Sequence, residues 1–180
     1  MTLRERILNA ESGIRVGEIV LPAHLRQISP HTQKSFLDMR IEWMGNRSWG
    51  ESFKIGAKTV RLGHRRGDHI ATYPHLYGLT AIEAEELLKR SLEGTLLHEL
   101  GHALLDASPR LFEQRRLLEV AQAEGSFSTY HGHDPEGMGL RDVLHEVFAE
   151  AFRYWCMDDS ILRAEFPRWH RLLDSASPGL

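Results

Sequence analysis

Apolar positions along the chain follow two periods, and the change from one to the other separates its halves. In the second half, Val143, Leu144, Val147, Phe148, Ala151, Phe152 and Trp155 recur three and four apart, the spacing that lines one face of an α-helix. The same spacing predicts a helix around Leu96, Leu97, Leu100, Ala103 and Leu104, with no proline between Thr80 and Ser108. Thr80-Ala-Ile-Glu83 reads as a capping box, so the helix is expected to start there and to continue through a weak point at Gly94. Pro109 after Ser108 predicts a further helix through Leu111, Leu117, Leu118 and Val120 to Gly125. A last helix is expected around Phe166 to Leu173, after the acidic break Asp158-Asp159. Between these, Gly125 to Gly139 has the Ser, Gly, His and Pro content of a loop.

The first half is read differently. Leu3 to Ala10 predicts a short helix, and Gly13 to Leu21 a strand closed by Pro22. Beyond Pro30, the apolar Phe36, Leu37, Met39, Ile41, Trp43 and Met44 favour neither period. In Asn46 to Gly67, Phe53, Ile55 and Ala57, then Val60 and Leu62, alternate between glycines and predict two short strands in a hairpin. His64, Arg65, Arg66 and His69 near its turn are expected to form a solvated tip. The fold class that follows is α+β in one domain, residues 1–180. It has a small, mostly antiparallel sheet in the N-terminal half and a helical C-terminal half.

Composition narrows the function classes. With 180 residues the chain is long enough to bury its own core. The net charge is -3 and no Lys/Arg run exceeds two residues, which argues against a nucleic acid partner. Met1 to Ala10 lacks an apolar signal core and no stretch approaches the ~20 apolar residues of a membrane span. A chain that acts in the cytoplasm or leaves by a signal-independent route is expected, with no membrane partner. The single cysteine, Cys156, excludes an internal disulfide and is expected to pack in the core.

The chemistry concentrates in Leu96-Leu97-His98-Glu99-Leu100-Gly101-His102, an H-E-x-x-H sequence inside a helix-compatible run. Residues four apart lie over one another on a helix, so His98 and His102 can aim two imidazoles at one point with Glu99 at its edge. That is a two-histidine clamp for zinc (Zn2+), and a third protein ligand leaves a fourth position for water. Glu99 is then placed as general base on that water, whose acidity the metal raises. Metzincins take the third ligand six residues after the second histidine, but here Ser108 stands at that position and Leu105 replaces the expected glycine. The later segment His145-Glu146-Val-Phe-Ala-Glu150 offers two carboxylates on one helix face. One can bind the metal and the other orient a ligand histidine, and spacing alone does not say which. Asp106, four residues after His102, can orient a histidine or accept a hydrogen bond near the helix end. His145 points about 100° away from Glu146 and is expected to be structural or solvent-facing.

His98-Glu-Leu-Gly-His102, followed 44 residues later by Glu146-Val-Phe-Ala-Glu150-Ala-Phe, resembles the anthrax lethal factor-like and Pro-Pro endopeptidase-like zinc metallopeptidases of gluzincin type. The resemblance covers roughly residues 46–166 and leaves residues 1–45 outside it. It implies a zincin-like domain, Glu146 as the zinc ligand and Glu150 as its supporting residue. It also implies a tyrosine that stabilises the oxyanion, in an S-x-Y stretch matched here by Ser128-Thr129-Tyr130. Tyr130 stands 16 residues before Glu146, a longer interval than the family's, with residues 131–140 as an insertion. His131 and His133 within it are expected to face water.

The function expected is a zinc endopeptidase acting on a protein or peptide substrate. An exposed sheet edge near residues 53–63 would pair with the extended chain. Two alternatives remain. An ImmA/IrrE-type intracellular regulatory metallopeptidase resembles this chain in its compact size and its H-E-L-G-H-A helix. A catalytically inactive zinc-binding interaction domain is the other, although a structural site has no need of a base such as Glu99.

Overall fold

A computed structural model gives the fold for residues 1–9, 11, 13–44, 54, 56–63, 78–124 and 139–180. Among these the helices are α1 (Leu3–Leu8), α2 (Pro30–Leu37), α3 (Ala81–Ala107), α4 (Gln114–Glu124), α5 (Leu140–Met157), α6 (Ser160–Glu165) and α7 (Pro167–Ala176). The strands are β1 (Arg40–Trp43) and β2 (Thr59–Leu62), with short 3-10 turns at Val16–Glu18, Pro22–Leu25 and Ser177–Gly179. The α+β class stands, with the sheet in the N-terminal half.

The sheet is parallel, which corrects the antiparallel expectation. Arg40 pairs with Thr59 and Trp43 with Leu62, so β1 and β2 run the same way. A tight hairpin cannot join parallel strands, but the stretch from Met44 to Lys58 is long enough for a crossover. β2 therefore pairs with residues before Gly45, a segment without clear period, and Ala57 lies outside any strand. Phe53 and Ile55, the rest of the predicted first strand, lie outside the described residues, as do His64, Arg65, Arg66 and His69.

The predicted strand Gly13 to Leu21 reduces to one antiparallel bridge between Arg15 and Arg40. Beyond it Val16, Ile19 and Val20 are all buried, a three-and-four spacing that suits the 3-10 turn formed there. Gly17 permits this turn to lie against α2, since a Cβ at that position would be 3.2 Å from the Leu37 carbonyl oxygen.

α3 is one continuous 27-residue helix, about 40 Å long at 1.5 Å per residue. The capping box is present, with the Thr80 side chain accepting from the Glu83 N–H and the Glu83 carboxylate accepting from the Thr80 N–H at 2.7 Å. N-terminal segments are tied to this helix by its acidic side chains. Glu85 accepts from the Leu3 N–H at 2.8 Å, and buried Glu93 accepts from the Leu21 N–H at 2.6 Å and faces His24 Nδ1 at 2.9 Å.

α5 lies antiparallel on α3. Gly94 is against Arg153, His98 against Glu146 and Glu150, and Gly101 against Ala149. The closest approach is at Gly101, where a Cβ would stand 2.8 Å from the Ala149 Cα. Leu144, Val147, Phe148, Ala151, Phe152 and Trp155 are buried, as their period predicts.

The helix expected from Pro109 begins only at Gln114. Leu111 and Phe112 fold their N–H groups back onto the Ser108 carbonyl at 3.0 and 3.3 Å instead. That turn buries Phe112, whose ring meets Phe148 with centroids 4.5 Å apart. The helix expected around Phe166 to Leu173 is α7, and a further one, α6, precedes it; Pro167 separates the two by disfavouring helical backbone at Phe166, whose φ is −132° and ψ 56°. The freed N–H groups of Arg168 and Trp169 donate to the Glu124 carboxylate at 2.7 and 3.2 Å. Cys156 is partly buried against the core. Among the described residues no helix is long and apolar enough to cross a membrane.

Candidate metal centre

His98 and His102 occupy successive turns of α3, and the antiparallel packing brings Glu146 of α5 opposite them. His98 Nε2 and His102 Nε2 are 3.1 Å apart. Glu146 Oε2 lies 3.2 Å from His98 Nε2, and its Oε1 lies 3.5 Å from His102 Nε2. Donors at 2.0–2.1 Å from a tetrahedral centre stand roughly 3.3–3.4 Å from one another, so these separations suit one small ion among the three atoms. The group His98, His102 and Glu146 can therefore hold a metal ion. Its two imidazoles and one carboxylate suit a borderline divalent cation.

Burial gives the site its electrostatic character. The His98 side chain is 9% exposed, that of His102 12%, and that of Glu146 28%. Glu99, next on the helix, is also buried. Burial works against a charge on His98, but hydrogen bonds to Glu146 and Glu150 and the charge of Glu99 push its pKa up to about 9. His102 moves the other way, pressed down to about 4 by burial and then by the charge on His98. His98 is thereby the more basic of the two imidazoles.

Glu150 sits behind the ring, with Oε2 3.2 Å from His98 Nδ1. An N–H donated there leaves Nε2 as the lone-pair donor facing His102 and Glu146. Burial raises the Glu150 carboxyl pKa, yet the His98 hydrogen bond and the Arg153 charge hold it below the usual carboxylate value. Glu146 and Glu150 thus take different positions about one ring, a distinction the sequence spacing left open.

Asp106 is directed elsewhere than to a ligand histidine. Its Oδ1 is 3.9 Å from His145 Nδ1, and its side chain is 58% exposed. His145, read from the sequence as structural or solvent-facing, lies beside the site, its ring near-parallel to that of His102 with centroids 6.4 Å apart. Antiparallel packing was the signal for it, because the second histidine of α3 meets the turn of α5 that precedes Glu146. Leu105, Phe112, Leu117 and Leu144, with Asp106 and His145, line a cavity of about 210 Å³ next to this corner.

Tyr130, His131 and His133 lie outside the described residues. Of the predicted peptide-binding edge at residues 53–63, β2 is described and pairs on one side with β1.

Comparison with known protein families, with curated proteins and with solved structures found no match for the chain.

Proposed function

We propose that the protein is a zinc-dependent endopeptidase in which His98, His102 and Glu146 hold the ion and Glu99 is the general base. The observation that supports this is the convergence of His98 and His102, on the helix that also carries buried Glu99, with Glu146 of the facing helix α5 at tetrahedral spacing. Three protein donors, the number found among the described residues, is the pattern of catalytic zinc sites, whereas structural ones close all four positions with Cys or His. When bound, zinc supplies Lewis acidity towards a carbonyl oxygen and makes water a better proton donor.

The chain's own residues do the rest. Glu99 accepts the proton of the attacking water and returns it to the leaving amine. Glu150 fixes the His98 ring so that Nε2 faces the ligand cluster. The resemblance of the Glu146-Val-Phe-Ala-Glu150-Ala-Phe stretch to lethal factor-like and Pro-Pro endopeptidase-like enzymes supports the same assignment. It adds Tyr130 as donor to the oxyanion; independently of it, a sheet edge near residues 53–63 would align an extended peptide.

The test is digestion of a proteome-derived peptide library by the zinc-loaded protein, with cleavage sites read by mass spectrometry. Cleavage is expected that a chelator abolishes and that Glu99→Gln reduces by roughly 10²–10⁴-fold while zinc content is retained. A zinc-loaded Glu99→Gln variant that cleaves as fast as the parent refutes the assignment.

A further inference from the structure

Arg153 lies one turn beyond Glu150 on α5, facing α3. Its Nη2 donates to Glu150 Oε1, while the other oxygen of that carboxylate, Oε2, meets His98 Nδ1 at 3.2 Å. Each oxygen of Glu150 is thereby engaged by a different partner, and the carboxylate cannot rotate without breaking one contact. The guanidinium carries N–H donors and no acceptor, so it meets the carboxylate as a donor.

The route by which Arg153 reaches Glu150 is cut into the opposite helix. Gly94 stands four residues before His98, on the same face of α3. A Cβ at that position would be 3.3 Å from Arg153 Nη1 and 3.5 Å from its Cδ, so the arginine lies in the space that the missing side chain leaves. Its carbon Cζ is also 4.8 Å from the centre of the Tyr154 ring, a second support for the guanidinium plane. Arg153 Nε is enclosed with no acceptor among the described residues, so the contact with Glu150 is made through the outer nitrogen. A glycine that costs about 1 kcal/mol of helix propensity thus occurs where the arginine needs room.

We propose that Arg153 is a positioning residue for the metal centre, acting through Glu150 to hold the His98 ring with Nε2 turned towards His102 and Glu146. The assignment rests on His98 as an ion ligand and is independent of whether the substrate is a peptide. Outer partners of this kind change metal affinity by roughly 10–100-fold when removed. Lysine is a partial replacement, because it keeps one terminal donor but carries it on a flexible stem without the planar group that packs over Tyr154.

The experiment is a double-mutant cycle on zinc affinity, measured by competition with a chromophoric chelator, joined to NMR of the His98 ring in the metal-free protein. Arg153→Met keeps the apolar stem and removes the donor. It is expected to weaken zinc binding by about tenfold in the parent and by less than about twofold in a Glu150→Gln background, since the two residues act in series. In the metal-free protein the hydrogen-bonded Nδ1 proton of His98 is expected to be observable in the parent, to broaden or disappear in Arg153→Met, and to persist in part in Arg153→Lys. Equal losses of zinc affinity in both backgrounds, or no loss in the parent background, overturn the proposal. An unchanged His98 signal in Arg153→Met does so even if the parent binds no zinc, which would refute the zinc reading separately. Should Arg153→Met fail to fold, Arg153→Lys is put through the same cycle and judged by the same outcomes.

Discussion

Gly101 stands between the two histidines of α3 at the closest approach to α5, and Gly101→Ala tests whether that approach builds the metal centre. The added methyl carbon would sit 2.8 Å from Ala149 Cα, 3.2 Å from Phe152 Cβ and 3.3 Å from Ala149 Cβ. Carbon atoms pack at about 3.5–4.0 Å, so the helices must separate by roughly 0.7–1.2 Å. No flexible side-chain end is available to yield, since the nearest atom belongs to backbone. Alanine gains about 1 kcal/mol of helix propensity over glycine, while overpacking costs about 1–3 kcal/mol, here about 2–3 kcal/mol because the clash is with backbone. A net loss of about 1–2 kcal/mol is expected, a fall in Tm of roughly 2–8 °C for a chain of this size.

The effect on the ion should exceed the effect on stability. Metal sites tolerate about 0.2 Å of error in donor distance, and Glu146 moves with α5. Zinc affinity is expected to fall by at least about tenfold, read by chelator competition beside a thermal melt. Gly94→Ala is the comparison for stability alone, because it makes the same propensity change where the nearest atom, at 3.3 Å, is a side-chain end of Arg153 and not backbone. Its Tm should hold or rise. A Gly101→Ala protein that binds zinc as tightly as the parent with an undiminished Tm would show that the helix spacing does not set the site.

Other outcomes follow from the same geometry. The raised pKa of His98, about 9 against an ordinary 6.5, means that its proton stabilises the metal-free fold below pH 6.5 and that this contribution is lost as pH rises through 9. Zinc must displace that proton, so calorimetry near pH 7.5 in buffers of different ionisation enthalpy should find about one proton released per ion, with affinity rising roughly tenfold per pH unit below 9. Binding without proton release would contradict the placement of charge on His98. Thr80→Ala removes the α3 cap and should cost about 0.5–2 kcal/mol in denaturant unfolding, and an unchanged midpoint counts against the cap. Phe148→Ala, at a fully buried position against Phe112, should cost about 3–5 kcal/mol, whereas Ile82→Ala, 73% exposed, should stay within about 0.5 kcal/mol. Comparable losses from the two would mean that the core is misplaced.

The helical half was legible because each of its signals is local. The Thr80 cap, the i, i+4 histidines and the apolar stripe of α5 are set by neighbours on the same helix, and tertiary packing agrees with them. The sheet was less legible because β1 and β2 have four residues each and pair across a long connection, a choice that no short-range pattern records. Val16, Ile19 and Val20 carried a helical spacing that the alternation earlier in their segment concealed. At Pro109 the demand to bury Phe112 outweighed a good start signal. In the site, the histidine pair is legible from one helix face, whereas the shared face of Glu146 and Glu150 leaves their roles open; the family resemblance implied different roles, and the distances to Nε2 and Nδ1 place the two differently about His98. Asp106 and His145 come together through interhelical packing, which spacing along either helix does not describe.

Glu85 and Glu93 have a consequence for any attempt to trim the molecule. The first 25 residues hold no part of the ligand cluster, yet their removal would leave the buried Glu93 carboxylate without the Leu21 amide and His24 that face it. A stranded buried charge costs far more than the few contacts of a loose tail. The smallest autonomous unit therefore has to retain the N-terminal segment, because the rod bearing the histidines is anchored at its far end by residues remote from His98, His102 and Glu146.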